Sequence, residues 1–331
     1  MIGGVREREW AFGVVRNWLK EGLMKVLRRD WLSKVARAGV GVVAGRVAMT
    51  AGGGFAADSG LKGEKRTPSS FLQGDSVMHL GTVTYNLAKD WDIGTIIKNC
   101  TEARFEGVEL RTTHKHGVEV TLSKAERAEV RKRFADSPVR LVSLGSAFDY
   151  HTPDAARLRK DLEATKEYLQ LAADVGATGI KVRPNALPKE VPVEKTLEQI
   201  GRSLAELGGT AQGLGQQVRL EVHGGGTSLL PNIRKIMDVA NHGSVGVCWN
   251  SNPTDLDGEG FDANFDLVKG KIFTVHMRDL HLEDYPFRRL MQRLVESGFR
   301  GFCFAEIPES ADPVRLMKYY RAMWLSYQGL L

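Results

Sequence analysis

The stretch VRLEVHGGG at residues 218–226 decides the fold when it is read with VGVCWNSNP (245–253), IFTVHMRDLH (272–281) and GFCFAEIPE (301–309). Each is a short apolar run that ends in a polar residue: Glu221, Asn250, His276 and Glu306. Side chains alternate along a strand, so Val218, Leu220 and Val222 share one face while Glu221 and His223 share the other. Four similar runs lie upstream, at 79–84, 107–110, 140–144 and 179–182. Between the eight runs fall amphipathic patterns at 93–103, 122–134, 154–175, 193–208, 230–240, 262–268, 287–296 and 313–326. In the third of these, Leu158, Leu162, Leu169, Ala172 and Val175 form one stripe. Thr152 before Pro153, and Asp312 before Pro313, read as helix caps followed by proline at the first helical position.

Strand and helix therefore alternate eight times over 79–326, close to the roughly 250 residues of a (β/α)8 barrel. The fold class expected is α/β, a single-domain TIM barrel. No GxGxxG follows the first strand, which leaves a dinucleotide site without support. In such a barrel the functional groups stand at the C-terminal ends of the strands. A single polar residue there marks only where water begins; Glu, Asn, His and Glu on four successive strands form a set. Carboxylate and imidazole together are divalent-metal ligands, with Mg or Mn favoured by oxygen and Zn, Fe or Co tolerated by the histidine. The second strand, GVELR, places Glu109 and Arg111 on one face, and the fourth, GIKVRP, does the same for Lys181 and Arg183.

The chain has 331 residues and a formal charge of +6. All of that excess lies in residues 1–57, which hold ten Lys+Arg against four Asp+Glu; the remaining 274 carry 36 of each. An uncharged body is a poor match for nucleic acid, whose binding needs a basic surface. Three widely spaced cysteines, Cys100, Cys248 and Cys303, exclude a disulfide scaffold and read as buried apolar residues. No apolar run reaches 18 residues.

The leader resembles a twin-arginine (Tat) export signal. Arg28 and Arg29 precede Asp30-Trp31-Leu32, a weakly apolar Ala/Gly/Val stretch comes next, and small residues cluster at 54–57. Arg37 and Arg46 interrupt that stretch, and Met24 is the better start. The expected organisation is a leader at 1–57, a polar linker at 58–77 and the barrel at 78–331. Export implies a periplasmic protein with no stable membrane insertion; without a working signal it is cytoplasmic.

The pieces LEVHG, GVCWN, IFTVHMRDLH, GFCFAEI and GVELR resemble the xylose isomerase-like TIM-barrel superfamily, in its sugar phosphate isomerase/epimerase branch, over roughly 78–310. The resemblance implies one divalent metal held by Glu221, Asn250, His276 and Glu306. The family usually has Asp where Asn250 stands, and Pro253 replaces a common histidine. Asn removes one negative charge, so weaker metal binding than the family norm is expected. In the family the first and last glutamates also move protons, which makes Glu221 and Glu306 the acid/base pair beside a substrate carbonyl. Glu109, Lys181, Arg183, His223, Asp279 and His281 are the expected substrate-side residues. His114 and His116 lie in the loop after strand two.

The substrate class implied is a small carbohydrate, and export favours a free sugar or keto-sugar over a sugar phosphate. Isomerisation or epimerisation through an enediolate is the leading expectation. The same proton abstraction also allows β-elimination from a 3-keto-glycoside, and a non-catalytic sugar-binding barrel is the third reading. The related AP endonucleases use many more His and Asp ligands than this chain offers. Family precedent also suggests a homo-oligomer.

Overall fold

The computed structural model describes residues 75–331. The leader with its paired arginines, and residues 58–74 of the expected linker, lie outside the described residues. Eight parallel strands close into one barrel: β1 His79–Val83, β2 Gly107–Arg111, β3 Arg140–Gly145, β4 Gly179–Val182, β5 Gln217–Glu221, β6 Val245–Asn250, β7 Ile272–Met277 and β8 Phe302–Ala305, with β8 pairing back to β1. One helix succeeds each strand: α1 Ile93–Ala103, α2 Lys124–Ala135, α3 Ala155–Val175, α4 Val193–Gly213, α5 Leu230–Ala240, α6 Phe261–Val268, α7 Phe287–Glu296 and α8 Pro313–Tyr327. The expected (β/α)8 barrel is the observed fold, with strand limits shifted by at most two residues.

Helix starts obey local chemistry. Ser123 and Glu126 form a reciprocal capping box at α2, and the Asp92 side chain accepts from Thr95 N at α1. At α3 the expectation of a Thr152 cap is corrected. Asp154 is the cap, accepting from the backbone N–H groups of Ala156 and Arg157, and Thr152 instead accepts from Asp154 N. A carboxylate serves two orphan donors at once, and Pro153 is left outside the helix. Asp312 caps α8 ahead of Pro313 as expected.

Outward-facing strand residues such as Leu80, Leu110, Val218, Leu220, Val247 and Val275 pack beneath the helices in one continuous core. Inside the barrel, Val83, Val142, Phe302 and Phe304 make a separate apolar cluster. The two phenylalanine rings stack with centroids 5.5 Å apart. They fit because β1 and β2 carry glycine opposite them: a Cβ at Gly81 would stand 2.7 Å from Phe304, and one at Gly107 would stand 2.5 Å from Phe302. All three cysteines are buried and unpaired, and burial pushes the Cys100 and Cys303 thiols up to about 12.

Two irregularities aim side chains at the C-terminal mouth. The β2–β3 register shifts between Val108 and Glu109, and the β6–β7 register shifts between Val247 and Cys248. Such shifts re-aim the side chains beyond them, here Glu109 and Asn250. The loop after β6 is then tied down by a buried chain in which Trp249 Nε1 donates to Tyr285 Oη, and Tyr285 donates to Asp255 Oδ2 at 2.6 Å. Asp255 also accepts from Asn252 N.

Burial lifts the Asp255 carboxyl from 3.8 to about 8, against the hydrogen bonds from Tyr285 and Asn252. The folded form thus stays protonated after the unfolded chain has ionised. Stability from this group is complete below about pH 4 and is lost as pH rises to about 8. The expected slope is up to about 1.4 kcal/mol per pH unit. Asp255→Asn keeps an acceptor for both donors and should flatten that slope, as read by urea unfolding between pH 4 and 8.

Candidate active site

A cavity of about 540 Å³ opens at the C-terminal mouth. Glu221 ends β5, His276 lies near the end of β7 and Glu306 stands just past β8, held by donation of its backbone N–H to Met277 O at 2.8 Å. One ligand atom from each of the three lies within 4.8 Å of the others. His276 Nδ1 stands 3.4 Å from Glu221 Oε1 and 3.6 Å from Glu306 Oε2. Asn250, at the end of β6, joins them with its amide Nδ2 at 3.5 Å from Glu221 Oε1. A half-turn of that amide exchanges Nδ2 for Oδ1.

The other pole of the imidazole faces Glu109. Nε2 and Glu109 Oε1 are 3.2 Å apart, without the alignment of a hydrogen bond. Glu109 is fully buried. It fits there because β3 has Gly145, where a Cβ would lie 2.8 Å from Glu109 Oε1. Glu109 therefore stands behind His276 and does not line the cavity. A carboxylate at the remote ring nitrogen is the usual device for orienting a metal-ligating histidine.

Lys181 Nζ donates to Glu221 Oε2 at 2.8 Å, and both side chains are buried. Burial opposes both charges, yet the pair outweighs it: Glu221 is held below the ordinary carboxylate range by Lys181 and His276, and Lys181 is raised by Glu221 and Glu109. Burial likewise opposes charge on His276 and Glu109. Cys248 and Glu109 still raise the imidazole well above 6.5, while His276 and Lys181 lower Glu109. The field at this point favours a cation.

The residues fit a divalent ion. Both ring nitrogens of His276 are buried without a hydrogen-bond partner among the described residues, and Nδ1 is aimed between two carboxylates. Two acids brought this close repel unless a positive charge sits between them. Glu221, Asn250, His276 and Glu306 would hold the ion.

Of the expected substrate-side residues, Lys181, Arg183, His223 and Asp279 line the cavity. His281 is exposed in the loop beyond and does not line it. His223 is half-buried and lowered, first by burial. Arg183 Nε is buried with no partner among the described residues. His114 and His116 belong to the loop's own architecture. His114 bonds Thr84 at 3.0 Å, and His116 Nε2 bonds Arg111 O at 2.8 Å. Burial holds His114 down at about 4.

Sequence reasoning missed Arg278 and Asn252, which also line the cavity. Arg278 was within reach, because it continues the alternation of His276 two residues on. Asn252 binds Val222 O at 2.6 Å, a tie between β5 and β6 that no periodicity signals.

The protein is a closed parallel (β/α)8 barrel that gathers acid and imidazole side chains at the C-terminal ends of its strands. Residues 97–323 match the family described as Xylose isomerase-like TIM barrel, and the chain belongs to that family. No curated protein sequence matches it. Among solved structures it is similar to the IolI protein with a bound zinc atom, at 16% identity and a TM-score of 0.62, over 76% of this chain and 98% of that one. It is similar to 3-keto-D-glucoside 4-epimerase YcjR from E. coli, at 16% and 0.62, over 75% and 99%. It is also similar to D-psicose 3-epimerase from Clostridium cellulolyticum H10 with D-tagatose, at 12% and 0.65, over 76% and 99%.

Asn250→Asp adds one negative charge to the ligand set, and calorimetric titration with Zn²⁺ or Mn²⁺ should show binding tightened by about ten-fold or more. Glu109→Gln should weaken the same titration by roughly ten- to a hundred-fold, through the orientation of His276.

Proposed function

We propose that the protein is a divalent-metal-dependent isomerase or epimerase of a free sugar or keto-sugar, working by proton transfer at the carbon beside a carbonyl. The observation that carries this reading is the convergence of Glu221, His276 and Glu306 on one point of the C-terminal mouth. The ion, when bound, supplies Lewis acidity toward a carbonyl oxygen and its neighbouring hydroxyl.

The protein's own groups divide the remaining work unequally. Lys181 holds Glu221 ionised and takes up one of its oxygens, which leaves the other free as a ligand and makes Glu221 a weak base. The Glu306 side chain is 26% exposed to the cavity, against 3% for Glu221. Glu306 is therefore the better placed to take a proton from substrate carbon. Glu221 with Lys181 is the partner that returns one on the other face. His223, half-buried and lowered, presents a neutral ring to substrate hydroxyls, and Arg183 offers its unpartnered Nε.

Elimination from a 3-keto-glycoside starts with the same proton removal and is the second reading, favoured by the ammonium of Lys181 as a proton source beside Glu221. NMR on a 3-keto-glucoside in deuterated water separates the two: an epimer or isomer carrying deuterium supports the first, and release of the aglycone supports the second. No metal at near-stoichiometric level together with no deuterium uptake by any sugar overturns both and leaves a sugar-binding barrel. Export under the Arg28-Arg29 leader, and assembly as a homo-oligomer, are part of the same proposal. Fractionation of cells with Arg28→Lys and Arg29→Lys tests the first, and light scattering tests the second.

Glu306→Gln should lower deuterium exchange into substrate by roughly 10²- to 10⁴-fold, the share expected of a positioned general base. Lys181→Met should reduce the rate less and should shift the acid limb of its pH profile upward, because Glu221 loses the charge that keeps it ionised.

A further inference from the structure

At the opposite, N-terminal mouth the barrel carries a second cavity, of about 570 Å³, within the range of small-molecule sites. Its charged lining is wholly basic: Arg131, Arg140, Arg219 and Arg300, with His79 at the edge and no carboxylate among the lining residues. Arg219 projects from β5 into the barrel and is 2% exposed. Its guanidinium donates to Gln217 Oε1 at 2.9 Å, Thr178 Oγ1 at 2.7 Å and Val142 O at 3.2 Å, all neutral acceptors. No carboxylate among the described residues is within ion-pair distance of it, and burial lowers it to about 10, so it stays charged at neutral pH. Glu109 acts on it from beyond contact distance, and a buried cation without a contacting counter-charge is costly.

A second observation is independent of charge. Thr274, 1% exposed, lines the same cavity, and its hydroxyl has no hydrogen-bond partner among the described residues. Buried hydroxyls are normally satisfied. Around the rim, Arg131, Arg140 and Arg300 are exposed and form no ion pair among the described residues, and the Arg140 guanidinium lies 4.5 Å from the centre of the Phe302 ring. Planar guanidinium forks and a hydroxyl donor lining one cavity suit the several oxygens of a phosphate group. Phe302 lines this cavity and stacks on Phe304, which packs edge-on against His276, and the two cavities share no lining residue.

We propose that the N-terminal mouth is a second ligand site, which takes a small phosphorylated anion on Arg219, Thr274 and the rim arginines. Calorimetric titration of the full chain with pyrophosphate at physiological salt tests it. Saturable binding at one site per chain is expected. It should weaken by at least about ten-fold in Arg131→Ser/Arg300→Ser, a loss matching one or more charge-assisted hydrogen bonds. Both positions are exposed, so the double variant should fold, and circular dichroism checks this. Glu306→Gln should bind pyrophosphate unchanged. The proposal is overturned by the absence of saturable binding at millimolar pyrophosphate, by binding indifferent to the rim substitutions, or by binding lost in Glu306→Gln, which would place the anion in the C-terminal mouth.

Discussion

The ion pair of Lys181 with Glu221, inside the C-terminal end of the barrel, is the interaction around which the candidate site is arranged. Taking both charges out of water costs several kcal/mol per ion, and the 2.8 Å contact offsets this only because the geometry is good. The pair ties β4 to β5, holds Glu221 ionised and turns its second oxygen toward His276. His276 is in turn backed by Glu109, and Glu109 has room only because Gly145 lacks a side chain. Each buried charge thus depends on the next, across strands β2, β4, β5 and β7. A barrel is suited to this, because closure leaves no edge through which a side chain could escape to water.

The barrel interior is stratified. Charged groups occupy both mouths, and a stacked phenylalanine pair fills the middle, fitted against glycine on β1 and β2. The two mouths share no lining residue, yet Glu109 is near enough to act on the buried Arg219. At the C-terminal mouth Glu306 and His223 are partly exposed, whereas Glu221 and Lys181 are buried.

Asn250 and the Lys181 pair would act in the same direction on a metal ion held at this centre. The first withholds a negative charge from the ligand set, and the second draws part of Glu221's charge toward an ammonium. The centre is accordingly less electronegative than two free carboxylates, an aspartate and a histidine would be. This is a physical reason to expect a modestly bound ion, and a division of labour in which Glu306 carries the base and Glu221 the ligation.

The eight-fold alternation was legible in the sequence because each barrel strand is short, apolar on its outer face and succeeded by a helix of clear period. The four strand-end residues were legible for the same reason, since polarity at the end of an apolar run marks the mouth. Their neighbours were read less well. Glu109 shares its sequence pattern with a pocket residue, but a shifted β2–β3 register and the space at Gly145 put it behind His276. His281 lies near a strand end in sequence yet is carried outward by the loop after β7. Residue types and their spacing, then, determined the architecture and which side chains point inward. Which inward side chains touch, which are buried and which line the cavity was decided only by closure of the barrel, because strand stagger and cross-barrel distance are properties of all eight strands together.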